Sequence, residues 1–155
     1  MSFHTRVMQN IDDLHERAGS RNVVHMHGEL LTSWCLACDG KEEPLGDVGQ
    51  TSICPACGVA GKLRPNIVWF GEITYEMERI VREVDDCSTF AAIGTSGLVY
   101  PAAGFVVHAV GRGAHTVELN LESTRGYTIF QECRQGLASV VVPQWVDELL
   151  ARVLG

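Results

Sequence analysis

The sequence predicts an α/β fold: a partial doubly wound (Rossmann-like) parallel sheet with an inserted small zinc-binding knuckle. Three observations predict it. From Thr89 onward, short apolar runs alternate with helix-patterned stretches, the order that parallel strands with crossover helices require. Polar breaks at residues 9–12, 94–96 and 120–122 follow apolar runs, where strand carboxyl ends would lie. Two C-x-x-C pairs, Cys35 with Cys38 and Cys54 with Cys57, stand fifteen residues apart in a stretch broken by Gly40, Pro44, Gly46, Gly49, Pro55 and Gly58. A chain of 155 residues with 46% hydrophobic and 20% charged content has the composition of one ordinary globular domain.

In chain order, residues 5–8 form a short strand that runs into the polar loop opening at Gln9. Asp12 can cap a brief helix over 13–18 that stops at Gly19, and residues 22–26 read as a second strand leading to His27 and Gly28. Residues 1–28 are thus the first part of the sheet domain, 29–63 the knuckle and 64–155 the remainder. The run RPNIVWF over 64–70 starts with a proline and ends at Gly71 and Glu72, with Trp69 expected in the core. Thr74 opens a helix in which Met77, Ile80, Val81 and Val84 form one apolar stripe. Residues 89–93 are a continuous apolar strand. A helix begins near Pro101, turns Phe105, Val106 and Ala109 inward and ends at Gly111. Residues 115–119 make the next strand and 138–142 a third, stopped by Pro143. The last helix is expected to bury Val146, Leu149, Leu150 and Val153. Cys87 and Cys133 stand singly and are expected to be small buried side chains.

Four cysteines in two close pairs suit a tetrahedral cation, because each short turn offers two thiolates on one side. Two redox-active pairs are the alternative; one C-x-x-C leaves that choice open, whereas two at this spacing favour zinc. A closed four-thiolate site has no position left for substrate, so the metal is structural and stands in for an apolar core. The net charge of −7, with five acids against Lys41 and Lys62 in the knuckle, argues against a phosphate-backbone partner. No apolar run approaches the ~20 residues of a membrane span. The opening MSFHTRVMQN lacks the apolar centre of a signal peptide, so no nucleic acid, no membrane and a cytoplasmic location are expected.

A single Gly94-Thr95-Ser96 is more often a turn than a site, but three polar breaks at strand ends together point to a nucleotide. From local sequence alone, His27 before a glycine reads as a strand-end residue with a satisfied hydrogen bond.

Taken together, QNID at 9–12, HMHGEL at 25–30, the four cysteines, PNIVWFGE at 65–72, GTS at 94–96, YPAAG at 100–104 and NLE at 120–122 resemble the sirtuin family of NAD-dependent protein deacylases. The likeness is greatest to its bacterial members. The resemblance implies that NAD loses nicotinamide as an acyl-lysine carbonyl oxygen attacks its ribose, the acyl group passing to ADP-ribose. It implies His27 as general base, a role that suits an imidazole with an ordinary pKa of about 6.5. It puts Asn10, Ile11 and Asp12 at the nicotinamide end, Gln9 at the adjoining ribose and Gly94, Thr95 and Ser96 at phosphate and ribose. Asn120, Leu121 and Glu122 would line the adenosine ribose, and Ala138 would touch the cofactor through its backbone. Cys35, Cys38, Cys54 and Cys57 would hold zinc. Acyl-lysine protein substrates would lie as an added strand between Val68, Phe70, Gly71 and Glu72 on one side and Gly97, Leu98, Val99 and Tyr100 on the other.

The sequence departs from the family pattern at two points. Met8 stands where a threonine usually precedes the glutamine, and the glycine-rich GAG motif with which sirtuins open is not in the chain, which begins at Met1 just before QNID. That motif ends the strand at the middle of a 3-2-1-4-5-6 sheet. Its loss is expected to expose sheet edges, open to a complementing N-terminal segment or to self-association. The other reading of the same residues is a truncated, catalytically inactive sirtuin fragment serving as a zinc-binding or interaction module.

Overall fold

The computed structural model describes residues 4–43, 46–122 and 129–154. The chain divides into two compact units, Met1–Ile80 and Val81–Gly155.

In the first unit, β1 (Arg6–Met8) and β2 (Val23–His25) pair in parallel, with Met8 opposite His25. Between them α1 (Leu14–Arg17) makes a single turn. Asp12 stands before it as expected, its Oδ1 accepting the Leu14 N–H at 3.1 Å. Val24 and Met26 are buried behind the strand pair.

Residues 28–67 hold an antiparallel sheet of order β4-β3-β5, built from β3 (Gly28–Cys35), β4 (Lys41–Glu42) and β5 (Leu63–Ile67). The knuckle is therefore less loop-like than expected. Ser33 and Cys35 take buried positions in β3, so a strand is present without the apolar alternation that would announce it. The run 64–70 is strand only as far as Ile67. Trp69 is 53% exposed rather than in the core, and Phe70 is fully exposed.

Helix α2 (Met77–Asp86) buries Ile80 and Val84, as the 3.6-residue spacing requires. In the second unit, β6 (Thr89–Ile93), β7 (His115–Asn120) and β8 (Glu132–Gln135) form a parallel sheet in that order. Ala91 faces Val117, which in turn faces Glu132. A 3-10 turn (Ala102–Gly104) leads into α3 (Phe105–Gly111), which buries Phe105 and Ala109. Val117, Leu119 and Val141 make the core of this sheet, with Ala91, Val142 and Trp145 packed against them.

Residues 138–142 are not the third strand. They are the opening turns of α4 (Ala138–Leu154), and Pro143 lies inside that helix. The Gly136 N–H bonds the Asn120 carbonyl and closes β8, after which the Leu137 carbonyl accepts from Val140 and Val141 and starts the helix. Three consecutive valines look like a strand locally, but only Val141 among them is buried, a helical pattern. The inward stripe of α4 is Val141, Trp145 and half-buried Leu149, while Val146 and Leu150 are exposed, contrary to expectation. The Val153 side chain lies outside those described. Cys133, on β8, is exposed rather than buried, and Cys87 is partly buried with its thiol 3.2 Å from the Val84 carbonyl.

Candidate active site and metal centre

The four cysteine sulfurs of the knuckle lie within 4.8 Å of one another. Cys35 and Cys57 are 3.8 Å apart, as are Cys38 and Cys54. A tetrahedron with Zn–S bonds of about 2.3 Å has edges of about 3.8 Å, so the spacing fits zinc. A disulfide would need about 2.05 Å, and all four thiols are free. Each pair sits on the same local frame. Asp39 N–H bonds the Cys35 carbonyl and Gly58 N–H the Cys54 carbonyl, and each turn is completed at positive φ, by Asp39 at 56° and Gly58 at 75°.

Backbone N–H groups aim at the sulfurs. The Ala37 N–H, with that of Cys38, pulls the Cys35 thiol down to about 7. At Cys38 the Gly40 N–H also lowers the pKa, but the Cys57 sulfur, burial and the other two thiols outweigh it and push the value up to about 12. Four sulfurs this close resist ionising together unless a cation lies among them, which is the chemistry a zinc ion supplies. Gly40 packs closely here, since a Cβ at that position would come 3.3 Å from the Cys38 sulfur.

The carboxyl ends of β1 and β2 bring the predicted loop 9–12 to His27. The His27 Nδ1 lies 2.7 Å from the Gln9 carbonyl, which can only accept, so Nδ1 carries a proton and, in the neutral imidazole, Nε2 keeps its lone pair. The His27 carbonyl accepts the Val68 N–H at 2.9 Å, tying this histidine to the start of the predicted substrate segment. Ile11 is held in turn by its carbonyl, which accepts the Leu30 N–H. Gly28, at φ 84°, is a position whose importance was not read from sequence. A Cβ there would stand 2.1 Å from the Asn66 carbonyl oxygen, so only glycine lets β3 start beside β5 directly after the histidine.

The segment after β5 is shaped by Arg64. Its guanidinium donates to Glu72 through both Nη atoms and to the Ile67 carbonyl at 2.7 Å. The Glu72 Oε2 also accepts the Trp69 N–H at 2.9 Å, and the Glu72 N–H returns to the Trp69 carbonyl. The Arg64 hydrogen bonds and the Trp69 N–H hold the Glu72 carboxyl down at about 2. Phe70 and Gly71, between these anchors, leave their side-chain face open.

In the second unit, the carboxyl ends of β6, β7 and β8 gather the remaining predicted cofactor residues. Gly94, at φ 62°, donates to the Leu119 carbonyl, and Asn120 Nδ2 donates to the Thr95 carbonyl at 2.8 Å. The Asn120 Oδ1 accepts the Leu121 N–H, and the Asn120 carbonyl accepts Gly136 two residues before Ala138. Thr95 and Ser96 hydroxyls accept the N–H groups of Gly97 and Leu98 at 3.3 Å, shaping the start of the predicted segment 97–100. Glu122 is exposed at the end of the described stretch. Leu98 and Tyr100 are exposed as well.

Comparison with known proteins gives a consistent result. The Sir2 family model matches residues 1–101. The NAD-dependent protein deacylase SIR2rp3 of Leishmania major is 53% identical over 149 residues, which cover 96% of this chain and 61% of that protein. An NAD-dependent protein deacylase of Pasteurella multocida is 50% identical over 93% of this chain and 62% of its own length. Among solved structures, a Sir2 homolog–NAD complex superposes with a TM-score of 0.85 at 35% identity, over 96% of this chain and 59% of that one. A Sir2 bound to acetylated peptide superposes at 0.81 with 28% identity, over 94% and 63%. The chain thus spans about three fifths of the length of the relatives it matches. With the histidine, the thiolate tetrahedron and the strand-end loops in the family's order, the chain belongs to the Sir2 family.

Proposed function

We propose that this chain carries out NAD-dependent removal of acyl groups from protein lysines, releasing nicotinamide and O-acyl-ADP-ribose. The observation that carries the proposal is the His27 geometry: an imidazole whose Nδ1 is fixed by the carbonyl of Gln9, the first residue of the 9–12 loop, leaving Nε2 available as an acceptor. Relatives near 50% identity named NAD-dependent protein deacylase support the same reading.

NAD bound at these loops would supply an ADP-ribosyl group activated by a departing nicotinamide. The chain's residues would do the rest. Gln9, Asn10, Ile11 and Asp12 would hold the nicotinamide half, while Gly94, Thr95, Ser96, Asn120, Leu121, Glu122 and the Ala138 backbone would hold phosphate and adenosine. His27 would take a ribose hydroxyl proton at Nε2, the Gln9 bond on Nδ1 steadying the imidazolium that results. An acyl-lysine peptide would pair with backbone at 68–72 and 97–100, a sequence-tolerant mode of recognition. Residues 29–63 would act as a zinc module and 1–28 with 64–155 as the NAD-binding part. Four thiolates for zinc suit a reducing compartment, and we place the protein in the cytoplasm; no described helix is long and apolar enough to cross a membrane.

Among the described residues β1 pairs only with β2, and β6 only with β7, so each has an edge where a further segment or a second copy could pair. The proposal is tested by peptide-dependent nicotinamide release from NAD. Release from the wild type that is lost in His27→Ala supports it, and NAD that fails to bind in a titration calorimeter contradicts it.

A further inference from the structure

Arg64 connects two parts of the first unit that sequence reading treated separately. It lies on β5 directly opposite Trp34 of β3, and Trp34 immediately precedes the zinc ligand Cys35. The guanidinium carbon stands 3.8 Å from the centroid of the Trp69 ring and 5.3 Å from that of Trp34, inside the range of a cation–π contact with both. Its side chain is 10% exposed. Its Nη atoms are committed to Glu72 and to the Ile67 carbonyl, while Nε is buried without a hydrogen bond. The group is therefore held by stacking and by the Glu72 fork more than by full satisfaction of its donors.

The paired register of β3 and β5 runs directly into the cysteine cluster. Cys35 pairs with Leu63, and Leu36 N–H bonds the Lys62 carbonyl. A knuckle closed around an ion would hold Trp34 in its place across from Arg64. Arg64 then fixes Glu72 and Trp69, and these two bracket Phe70 and Gly71.

We propose that Arg64 is a positioning residue that transmits the order of the zinc knuckle to residues 68–72, fixing the turn that the Glu72 N–H closes on the Trp69 carbonyl so that this segment is set to receive substrate backbone. The substrate role of 68–72 rests on the function proposed above; the mechanical link does not. Lysine cannot replace the arginine, since an ammonium has neither the planar face for two indoles nor the fork for a carboxylate.

The test uses the full 155-residue chain as wild type, Arg64→Lys and Arg64→Met. Zinc content, backbone hydrogen exchange at 68–72, and KM for an acetyl-lysine peptide and for NAD are measured. The link predicts that Arg64→Lys keeps its zinc while amides at 68–72 exchange about tenfold faster, a change of about 1.4 kcal/mol. It predicts the same acceleration in the wild type after chelation. KM for peptide rises about tenfold and KM for NAD stays within about twofold, the split expected of lost substrate positioning. Wild-type exchange at 68–72 in zinc-loaded Arg64→Lys overturns the proposal, as does zinc loss in both variants, which would make Arg64 part of knuckle folding. Equal rises in both KM values also overturn it. A wild type without turnover defeats the deacylase reading alone, because the exchange measurement still decides the link.

Discussion

The two units present their site residues by different physical means. In Met1–Ile80, His27 and the 9–12 loop rest on a strand pair of three residues each, a close glycine contact, single hydrogen bonds and a four-thiolate cluster. Two of the buried positions there are Cys35 and Cys54. In Val81–Gly155, Gly94, Thr95 and Asn120 stand at the ends of a three-stranded parallel sheet with Val117, Leu119 and Val141 beneath it. The first unit thus joins a small apolar cluster of Val24, Met26 and Ile80 to polar contacts and a cysteine cluster suited to a metal, whereas the second rests mainly on an apolar core. Perturbations that tell these apart should act on one region and spare the other.

The largest expected effect is metal removal. Structural zinc sites contribute roughly 10–16 kcal/mol in apparent terms, so chelation should abolish amide protection across 35–62. Protection in β6, β7 and β8 should persist. Hydrogen exchange with peptide-level resolution reads both, and loss of protection in the sheet would mean that the two regions are not independent in stability. The reciprocal perturbation is Leu119→Ala. Emptying a fully buried leucine position should cost about 3–4 kcal/mol in a denaturant melt while zinc content remains unchanged.

Two glycine substitutions sharpen the contrast. Both Gly28 and Gly94 have positive φ, but a Cβ at Gly28 meets the Asn66 carbonyl at 2.1 Å, whereas one at Gly94 meets nothing within 4 Å. Gly28→Ala should cost about 3 kcal/mol and displace His27, against about 1 kcal/mol for Gly94→Ala from the left-handed backbone alone. Similar melting shifts for the two would contradict the close approach.

The smallest effect concerns pH. Glu72 titrates at about 2 in the fold against an ordinary 4.5, so its pairing with Arg64 contributes fully above pH 4.5 and is lost as pH falls through 2. Indole fluorescence of Trp34 and Trp69 should change across that window, and Glu72→Gln should remove the transition.

Much of this was legible in the sequence because the signals were local. The four cysteines declared a tetrahedral site by spacing alone, the stripe of Ile80 and Val84 was set by helical period, and residues 89–93 were a continuous apolar strand. What escaped depended on distant partners. Strand β8 reads ECRQ, with no apolar alternation, because Glu132 and Arg134 are satisfied by each other and, for Arg134, by Glu148 of α4. The valines at 140–142 favour a strand locally and become helix because the Leu137 carbonyl starts a turn. Trp69 looked like core and is instead a lid on a guanidinium that no motif announces. For the site itself, family likeness named the residues, but the hydrogen bond from His27 to Gln9 and the need for glycine at 28 emerge only from the fold.

The most direct test of the account is nicotinamide release by the zinc-loaded chain, supplied with NAD and acyl-lysine peptides of several chain lengths. The account predicts release that requires peptide and falls by about 100-fold or more in His27→Ala, with zinc content unaltered. Absence of release from a chain that retains its zinc, or equal release by His27→Ala, would contradict it.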